Sequence, residues 1–197
     1  MTTPVTARDR AKAERSDAIL HEAALLFAAR GFNGVSLEDI GAAVGVSGPA
    51  VYRHYAGKQA LLGAVLVKVS RDLVDGGDAV VAEHSDPEGR MRALIRFHVD
   101  FALRNAAVIQ VQDREVVHLA DADRADVRRL QRTYIDLWIE SLAPLHTADA
   151  DELRLRVQSC FGLINSTPHS TRAATRRHAS TADVLAGMAY AALRAVT

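Results

Sequence analysis

The chain has 197 residues, with 24 basic and 24 acidic side chains and 49% apolar residues. That is enough apolar surface for one or two domains with a real core, and a net charge of zero excludes a polycation that coats nucleic acid or membrane without selectivity. One cysteine, Cys160, excludes an internal disulfide and a cysteine-based structural metal site; there is neither an apolar leader nor a run of about twenty apolar residues, so a cytoplasmic protein with no membrane partner is expected.

Alanine, leucine and arginine abound and period-two alternation is scarce, which predicts an all-α fold. Residues 1 to about 9 read as a mobile arm. A helix follows over Arg10–Arg30, with Ile19, Ala23, Leu26 and Phe27 on one face and Gly31 at its end. The next start signal is complete: Ser36 as cap, Asp39 at the reciprocal position, and Val35 and Ile40 as a hydrophobic staple. Leu37, Ile40 and Val44 point inward and Gly45 stops this short helix. Ser47 is placed to cap a third helix, with Pro49 in its first turn, where a missing N–H costs little. A long helix opens at Lys58, and Gly76-Gly77 is expected to loosen it. Asp86-Pro87 starts a fifth helix. Further helices are expected over Ala107–Leu119, Asp123–Leu142 and Asp151–Ser166, the last broken by Thr167-Pro168. A polar, basic loop with Arg172, Arg176 and Arg177 precedes a ninth helix, for which Ser180 and Asp183 have capping-box spacing.

The informative stretch is Gly45–Leu62. Two short helices around a glycine-containing turn form a helix-turn-helix, whose second helix can enter the DNA major groove. Helices this short do not persist alone, so a shared core of Phe27, Ile40, Val44, Val46, Val51 and Leu61 is expected. That assigns Ser36, Ser47, Gly48, Pro49, Ala50, Tyr52, Arg53, His54 and Lys58 to the outer face. Ser36, Tyr52, His54 and Lys58 suit phosphate contacts, which position without reading sequence. Ala50 and Pro49 suit a thymine methyl and Arg53 a guanine. Tyr52 is expected to be exposed; Tyr55 fits a core aromatic as well as an exposed one. The basic residues Arg8, Arg10, Lys12 and Arg15 fit either a solvated face or a minor-groove arm.

Ser-Leu-Glu-Asp-Ile-Gly at 36–41, Gly-Val-Ser at 45–47, Val-Tyr-Arg-His-Tyr at 51–55 and Lys-Gln-Ala-Leu-Leu at 58–62 resemble the TetR family of bacterial transcriptional regulators. The resemblance implies a nine-helix architecture. A helix-turn-helix DNA-binding domain over residues 10–57 would precede an effector-binding and dimerisation domain over 58–197. It carries the DNA contacts onto the nine outer-face residues named above. Gly57 stands where serine is commoner, which loosens the expected cap of the fourth helix.

Beyond Lys58, Phe97, Phe101, Tyr134, Trp138 and Phe161 recur at helical spacing, as an ordinary core or as the lining of a cavity. His98, Arg104, Gln110, Gln112, Arg114, Glu115, His118 and Asn165 are the polar residues placed to orient a ligand, with His98 the one most expected inside. The resemblance implies an effector pocket here. Phe97, His98, Phe101, Arg114, His118, Tyr134, Trp138, Phe161 and Asn165 are its expected contacts, and a hydrophobic or amphipathic molecule such as an acyl-CoA its ligand. Arg172, Arg176 and Arg177 would meet CoA phosphates or remain a solvated loop. The resemblance also implies a homodimer through the last two helices, whose small and apolar residues include Gly162, Ala186, Gly187 and Ala189, and hence a palindromic operator.

The expected function is ligand-relieved repression, with corepression, activation or effector-independent DNA binding as alternatives. An enzyme is not expected. Glu115-x-x-His118 is half of a carboxylate-bridged di-iron motif whose second copy is missing, Asp17 and His21 read as a surface pair, and no phosphate-binding glycine loop or nucleophile elbow occurs. No cofactor and no metal site are expected.

Overall fold

The structure, a computed structural model, describes residues 6–195, without the Arg8 side chain. Residues 1–5 of the expected arm, and Arg8 as a member of the basic cluster, lie outside that description. The chain is all-α. Its helices are α1 (Ala7–Arg30), α2 (Leu37–Ala43), α3 (Gly48–Tyr52), α4 (Lys58–Glu83), α5 (Pro87–Arg104), α6 (Ala106–Glu115), α7 (Asp121–Leu142), α8 (Ala150–Asn165), α9 (Thr167–Ser170), α10 (Ala173–Arg176) and α11 (Thr181–Arg194), with tighter turns at Val116–His118 and Ala143–Leu145. Nine of these correspond to the nine expected helices. The two additions, α9 and α10, are single turns inside the segment expected to be loop. No described helix is long and apolar enough to cross a membrane.

Three starts depart from the sequence reading for identifiable reasons. Helix α1 begins at Ala7, not Arg10, because Thr6 and Asp9 form a capping box. The Asp9 carboxylate accepts from the Thr6 hydroxyl at 2.7 Å and the Asp9 N–H donates to that hydroxyl at 3.2 Å. Ser47 occupies the cap position of α3 but its side chain makes no capping bond. The expected box at Ser180 does not form either. Ser180 is already helical and its hydroxyl lies 2.9 Å from His178 Nδ1, while Asp183 is drawn to Arg96 of α5 at 2.5 Å.

The largest departure is at Gly76-Gly77, where α4 continues unbroken. A Cβ on Gly76 would lie 2.3 Å from Phe97 Cζ, and one on Gly77 would lie 2.8 Å from Leu137 Cδ2 and 2.9 Å from Tyr134 Cε2. The pair lets α5 and α7 approach the α4 backbone, and the packing gained outweighs a helix penalty of about 1 kcal/mol per glycine.

Apolar side chains gather into two cores. The first joins α1–α3 to the start of α4 through Ile19, Phe27, Ile40, Val51, Leu61 and Leu62, and also takes in Val108, Val111, Leu119 and Val127. The second lies between α5, α7, α8 and α11 around Met91, Leu94, Trp138, Leu142, Val157 and Ile164. The division of the chain at residues 57 and 58 is therefore not a division between cores, since α4, α6 and α7 all reach the first.

Gly77→Ala should lower stability. Overpacking costs about 1–3 kcal/mol and the helix-propensity gain returns at most about 1 kcal/mol. A reduced midpoint in thermal or urea unfolding is expected; a raised midpoint would contradict the packing role.

Candidate functional sites: a helix-turn-helix face and a cavity between helices

The turn between α2 and α3 is set by Gly45, at φ +70°, where a left-handed backbone favours glycine. Val46 N–H donates to Gly41 O at 2.8 Å, so α3 folds back against α2. A Cβ on Gly41 would sit 2.8 Å from that Val46 oxygen. Phe27, Ile40, Val51 and Leu61 are buried as expected, with Val44 and Val46 packed beside them.

Outward from this core stand Ser47, Pro49, Tyr52 and Arg53, all exposed, with Tyr52 53% accessible; Ala50 and His54 are half-buried. Gly48 is a correction. It is buried, and a Cβ there would meet Glu38 Cγ at 3.2 Å, so it seats α3 against α2 and does not face outward. Ser36 is half-buried and committed as a cap. Its one hydroxyl proton goes to Asp39 Oδ2 at 2.7 Å and its oxygen accepts from Asp39 N at 3.0 Å, so it has no side-chain proton left to donate to a phosphate. The Ser36 backbone N–H, which donates to the same carboxylate at 2.8 Å, and the Ser36 hydroxyl hold the Asp39 carboxyl below its usual range. Lys58 donates to Val35 O at 2.8 Å and lies 4.5 Å from the centre of the Phe32 ring. Together with Tyr52 and the start of α2 it borders a concavity of about 480 Å3. Tyr55, left open by the sequence, is half-buried and bonds Ser16 of α1 at 2.7 Å, a structural role. Arg10, Lys12 and Arg15 are exposed on α1.

The second site is a cavity of about 250 Å3 lined by Ser70, Leu73, His98, Gln112, Leu130, Gln131, Tyr134, Ile135, Phe161 and Asn165. Of the nine expected contacts, His98, Tyr134, Phe161 and Asn165 line it. His98 Nε2 is 3.2 Å from Asn165 Oδ1, and Nδ1 is 3.3 Å from the Tyr134 hydroxyl. Burial lowers the His98 pKa to about 4, against a smaller opposing effect from Asn165, and it raises that of Tyr134. Phe161 stacks parallel to Tyr134 at 5.6 Å and lies 4.6 Å from His98. Trp138 is fully buried behind this cluster, edge-on to His98 at 5.8 Å. Its indole N–H turns toward the Tyr134 hydroxyl without a well-aligned hydrogen bond. Cys160 is buried, and that burial pushes its thiol up to about 12, which disfavours the reactive thiolate.

Four expected contacts lie elsewhere. Phe97 is taken up by its packing on Gly76, and Phe101 stacks on the outer side of His98 at 6.1 Å. Arg114 is exposed. His118 stacks on Phe32 at 4.7 Å with planes 15° apart, and its Nε2 lies 3.6 Å from the buried Glu115 carboxylate. The Gln59 amide donates to His118 O at 2.9 Å. Lys58, Phe32, His118 and Glu115 thus form one continuous stack where the end of α6 meets the first core. Of the other polar candidates, Gln112 lines the cavity, Gln110 bonds Pro168 O and Arg104 bonds Asp100 O. Ser70, Leu73, Leu130, Gln131 and Ile135 were missed as lining residues. Their polar or apolar character gave no cue, and only the crossing of α4 with α7 brings them together. Arg172 and Arg177 are exposed, and Arg176 bonds Thr171 O.

Helix α11 exposes Val184, Gly187, Met188 and Ala191 in one stripe, and α8 exposes Leu155 and Gly162. Nothing within 4 Å would meet a Cβ on Gly162 or Gly187. Ala189, expected on this face, is fully buried in the chain's own core.

Two family models match the chain: "Bacterial regulatory proteins, tetR family" over residues 19–65 and "Tetracyclin repressor-like, C-terminal domain" over residues 84–169. The chain belongs to the TetR family, and it is a transcriptional regulator, not an enzyme. It is 26% identical over 140 residues to the HTH-type transcriptional repressor KstR2 of Rhodococcus jostii RHA1, covering 71% of this chain and 69% of that protein. A TetR-family regulator from Bordetella parapertussis 12822 shares the fold at a TM-score of 0.78 and 22% identity, over 90% of this chain and 93% of that one. AibR, solved in complex with isovaleryl coenzyme A and operator DNA, superposes at a TM-score of 0.73 and 22% identity, over 90% of this chain and 96% of that one.

The depressed His98 pKa makes stability depend on pH. Between the unfolded value near 6.5 and the folded value of about 4, the unfolded chain binds the extra proton and the folded chain does not. Stability therefore falls as pH drops through that window, by up to about 3 kcal/mol, and is unaffected above it. His98→Gln should flatten this part of the stability-pH curve in urea titrations; an unchanged curve would contradict the buried neutral imidazole.

Proposed function

We propose that this regulator is a dimeric repressor that binds a palindromic operator through α3 and is released when a small apolar or amphipathic molecule enters the α4–α8 cavity. One observation carries the DNA reading. A capped α2, a glycine turn and a short α3 leave Pro49, Tyr52 and Arg53 outward beside Lys58, while Leu37, Ile40 and Val51 are buried and Val44 and Val46 pack against them. In this reading Tyr52, His54 and Lys58 contact phosphate, Ser47, Pro49 and Ala50 lie against base edges, and Arg53 reads a base. Gly48 and Ser36 serve by shaping the motif. Cytoplasmic action follows from a DNA target. Residues 10–57 act as the reading head and 58–197 as sensor and dimer platform.

The cavity reading is supported by AibR, a protein of this fold seen with both a small-molecule thioester and operator DNA. Coupling runs through α6. Gln112 faces the cavity; three residues on, Glu115 lies against His118, whose ring stacks on Phe32, the ring that Lys58 approaches. A ligand that displaces α6 moves the Lys58 side chain, and it favours release only if it binds the displaced state more tightly.

The exposed α11 stripe supports the dimer: apolar residues at 184, 187, 188 and 191 form one helical face, and the adjacent glycines leave room for a partner helix. Val184→Arg should yield a folded monomer by sedimentation, and a persistent dimer would remove α11 from the interface.

Tyr52→Ala should weaken operator and random duplex alike with dimerisation intact. Arg53→Ala should relax preference at one or two base pairs, at roughly 1–3 kcal/mol for a lost bidentate contact. Binding measured on a duplex pool checks both, and an unchanged selection profile for Arg53→Ala would count against base reading.

A further inference from the structure

If the cavity is the effector site, its lining specifies a head group. None of the lining side chains is a permanent ion, and the polar ones are Ser70, His98, Gln112, Gln131, Tyr134 and Asn165. A neutral imidazole has one donor and one acceptor nitrogen, and both are used. The Asn165 oxygen can only accept, so Nε2 carries the proton, and Nδ1 accepts from the Tyr134 hydroxyl. This chain turns the Asn165 oxygen toward the ring and leaves its NH2 group without another hydrogen bond among the described residues. Ser70 spends its proton on Leu66 O at 2.8 Å. The donors left to meet a ligand are therefore amide N–H groups, from Asn165, Gln112 and Gln131.

A carboxylate drawn in against His98 and Tyr134, the buried end of the cavity, would leave water with no countercharge, which proteins avoid by neutralising the group. His98 is a poor rescuer. Its second proton would reverse the Tyr134 bond and leave the tyrosine hydroxyl proton without its acceptor, and with a pKa of about 4 only about one molecule in a thousand carries it at pH 7. Arg114 faces solvent, and His118 is held in the junction with Glu115. Size adds a second limit. At about 250 Å3 the cavity falls just below the ~300–1,000 Å3 of typical small-molecule sites.

We propose that the cavity admits an uncharged carbonyl on a short apolar body, a free ketone or the acyl end of a thioester, and rejects the carboxylate of the same chain. Amide donors meet the carbonyl oxygen, while Leu73, Leu130, Ile135 and Phe161 surround the apolar body. The carrier of a thioester stays outside.

Trp138, the one tryptophan of the chain, lies 4.8 Å from Phe161 and reports on occupancy through its emission. The full-length protein is titrated near neutral pH with three matched probes of roughly seven carbons, close to the size limit. They are a methyl ketone, the straight-chain carboxylate, and the N-acetylcysteamine thioester of that acid. The expected result is saturation by ketone or thioester at a concentration at least about tenfold below the carboxylate's, a gap that Asn165→Leu narrows. The tighter of the two neutral probes identifies the source of the carbonyl. Saturation by the carboxylate at an equal or lower concentration overturns the head-group rule while leaving the cavity an effector site. If no probe alters Trp138 emission, the effector-site reading itself fails and the head-group rule with it.

Discussion

Helix α4 sets the geometry of both ends of the molecule. Its 26 residues span about 39 Å, and its side chains are used along the whole length. Lys58 opens it at the helix-turn-helix face, Leu61 and Leu62 lie in the first core, Ser70 and Leu73 line the cavity, and Gly76 and Gly77 admit α5 and α7. The two glycines are weak helix formers retained where backbone must meet ring and methyl groups. Without that close approach Tyr134 and Phe97 would stand off from α4, and the cavity between α4 and α7 would change shape.

The second link between the ends is α6. It is short, and it finishes in a tight turn that presents His118 to Phe32 and buries Glu115. The Lys58–Phe32–His118 stack is built from a cation–π contact and a nearly parallel ring pair, each worth about a kilocalorie per mole. That is too little to hold two domains together. It is enough to bias the position of one lysine, which suits the proposed release, in which a ligand displaces α6.

Much of this was legible in the sequence because local chemistry decided it. Ser36 with Asp39, Gly45, and the inward set Ile40, Val51 and Leu61 follow from caps, a positive φ and helical period. The failures share a physical cause, which is contact with residues far away in the chain. Gly76-Gly77 reads as a break until α5 and α7 are placed. Asp183 has capping spacing to Ser180, yet Arg96 of α5 claims it. His118 is an expected cavity contact, but it lies beyond α6 in the tighter turn at Val116–His118 and its ring meets Phe32. Gly48 looked like an exposed small residue, and only the position of Glu38 shows that it is buried. The Thr6 box, by contrast, was readable from Thr6-x-x-Asp9 and was passed over in favour of a mobile arm.

The claim that cavity and DNA-reading face are joined through the His118 stack can be measured without knowing the effector. Affinity for a duplex selected from a randomised pool is compared for the parent, His118→Ala, His118→Phe and Lys58→Met. The account predicts several-fold weaker binding for His118→Ala, recovery with His118→Phe, which keeps the ring stack, and weakening for Lys58→Met with a salt slope smaller by about one. Parent-like affinity for His118→Ala beside a weakened Lys58→Met would contradict the coupling while leaving the DNA face in place.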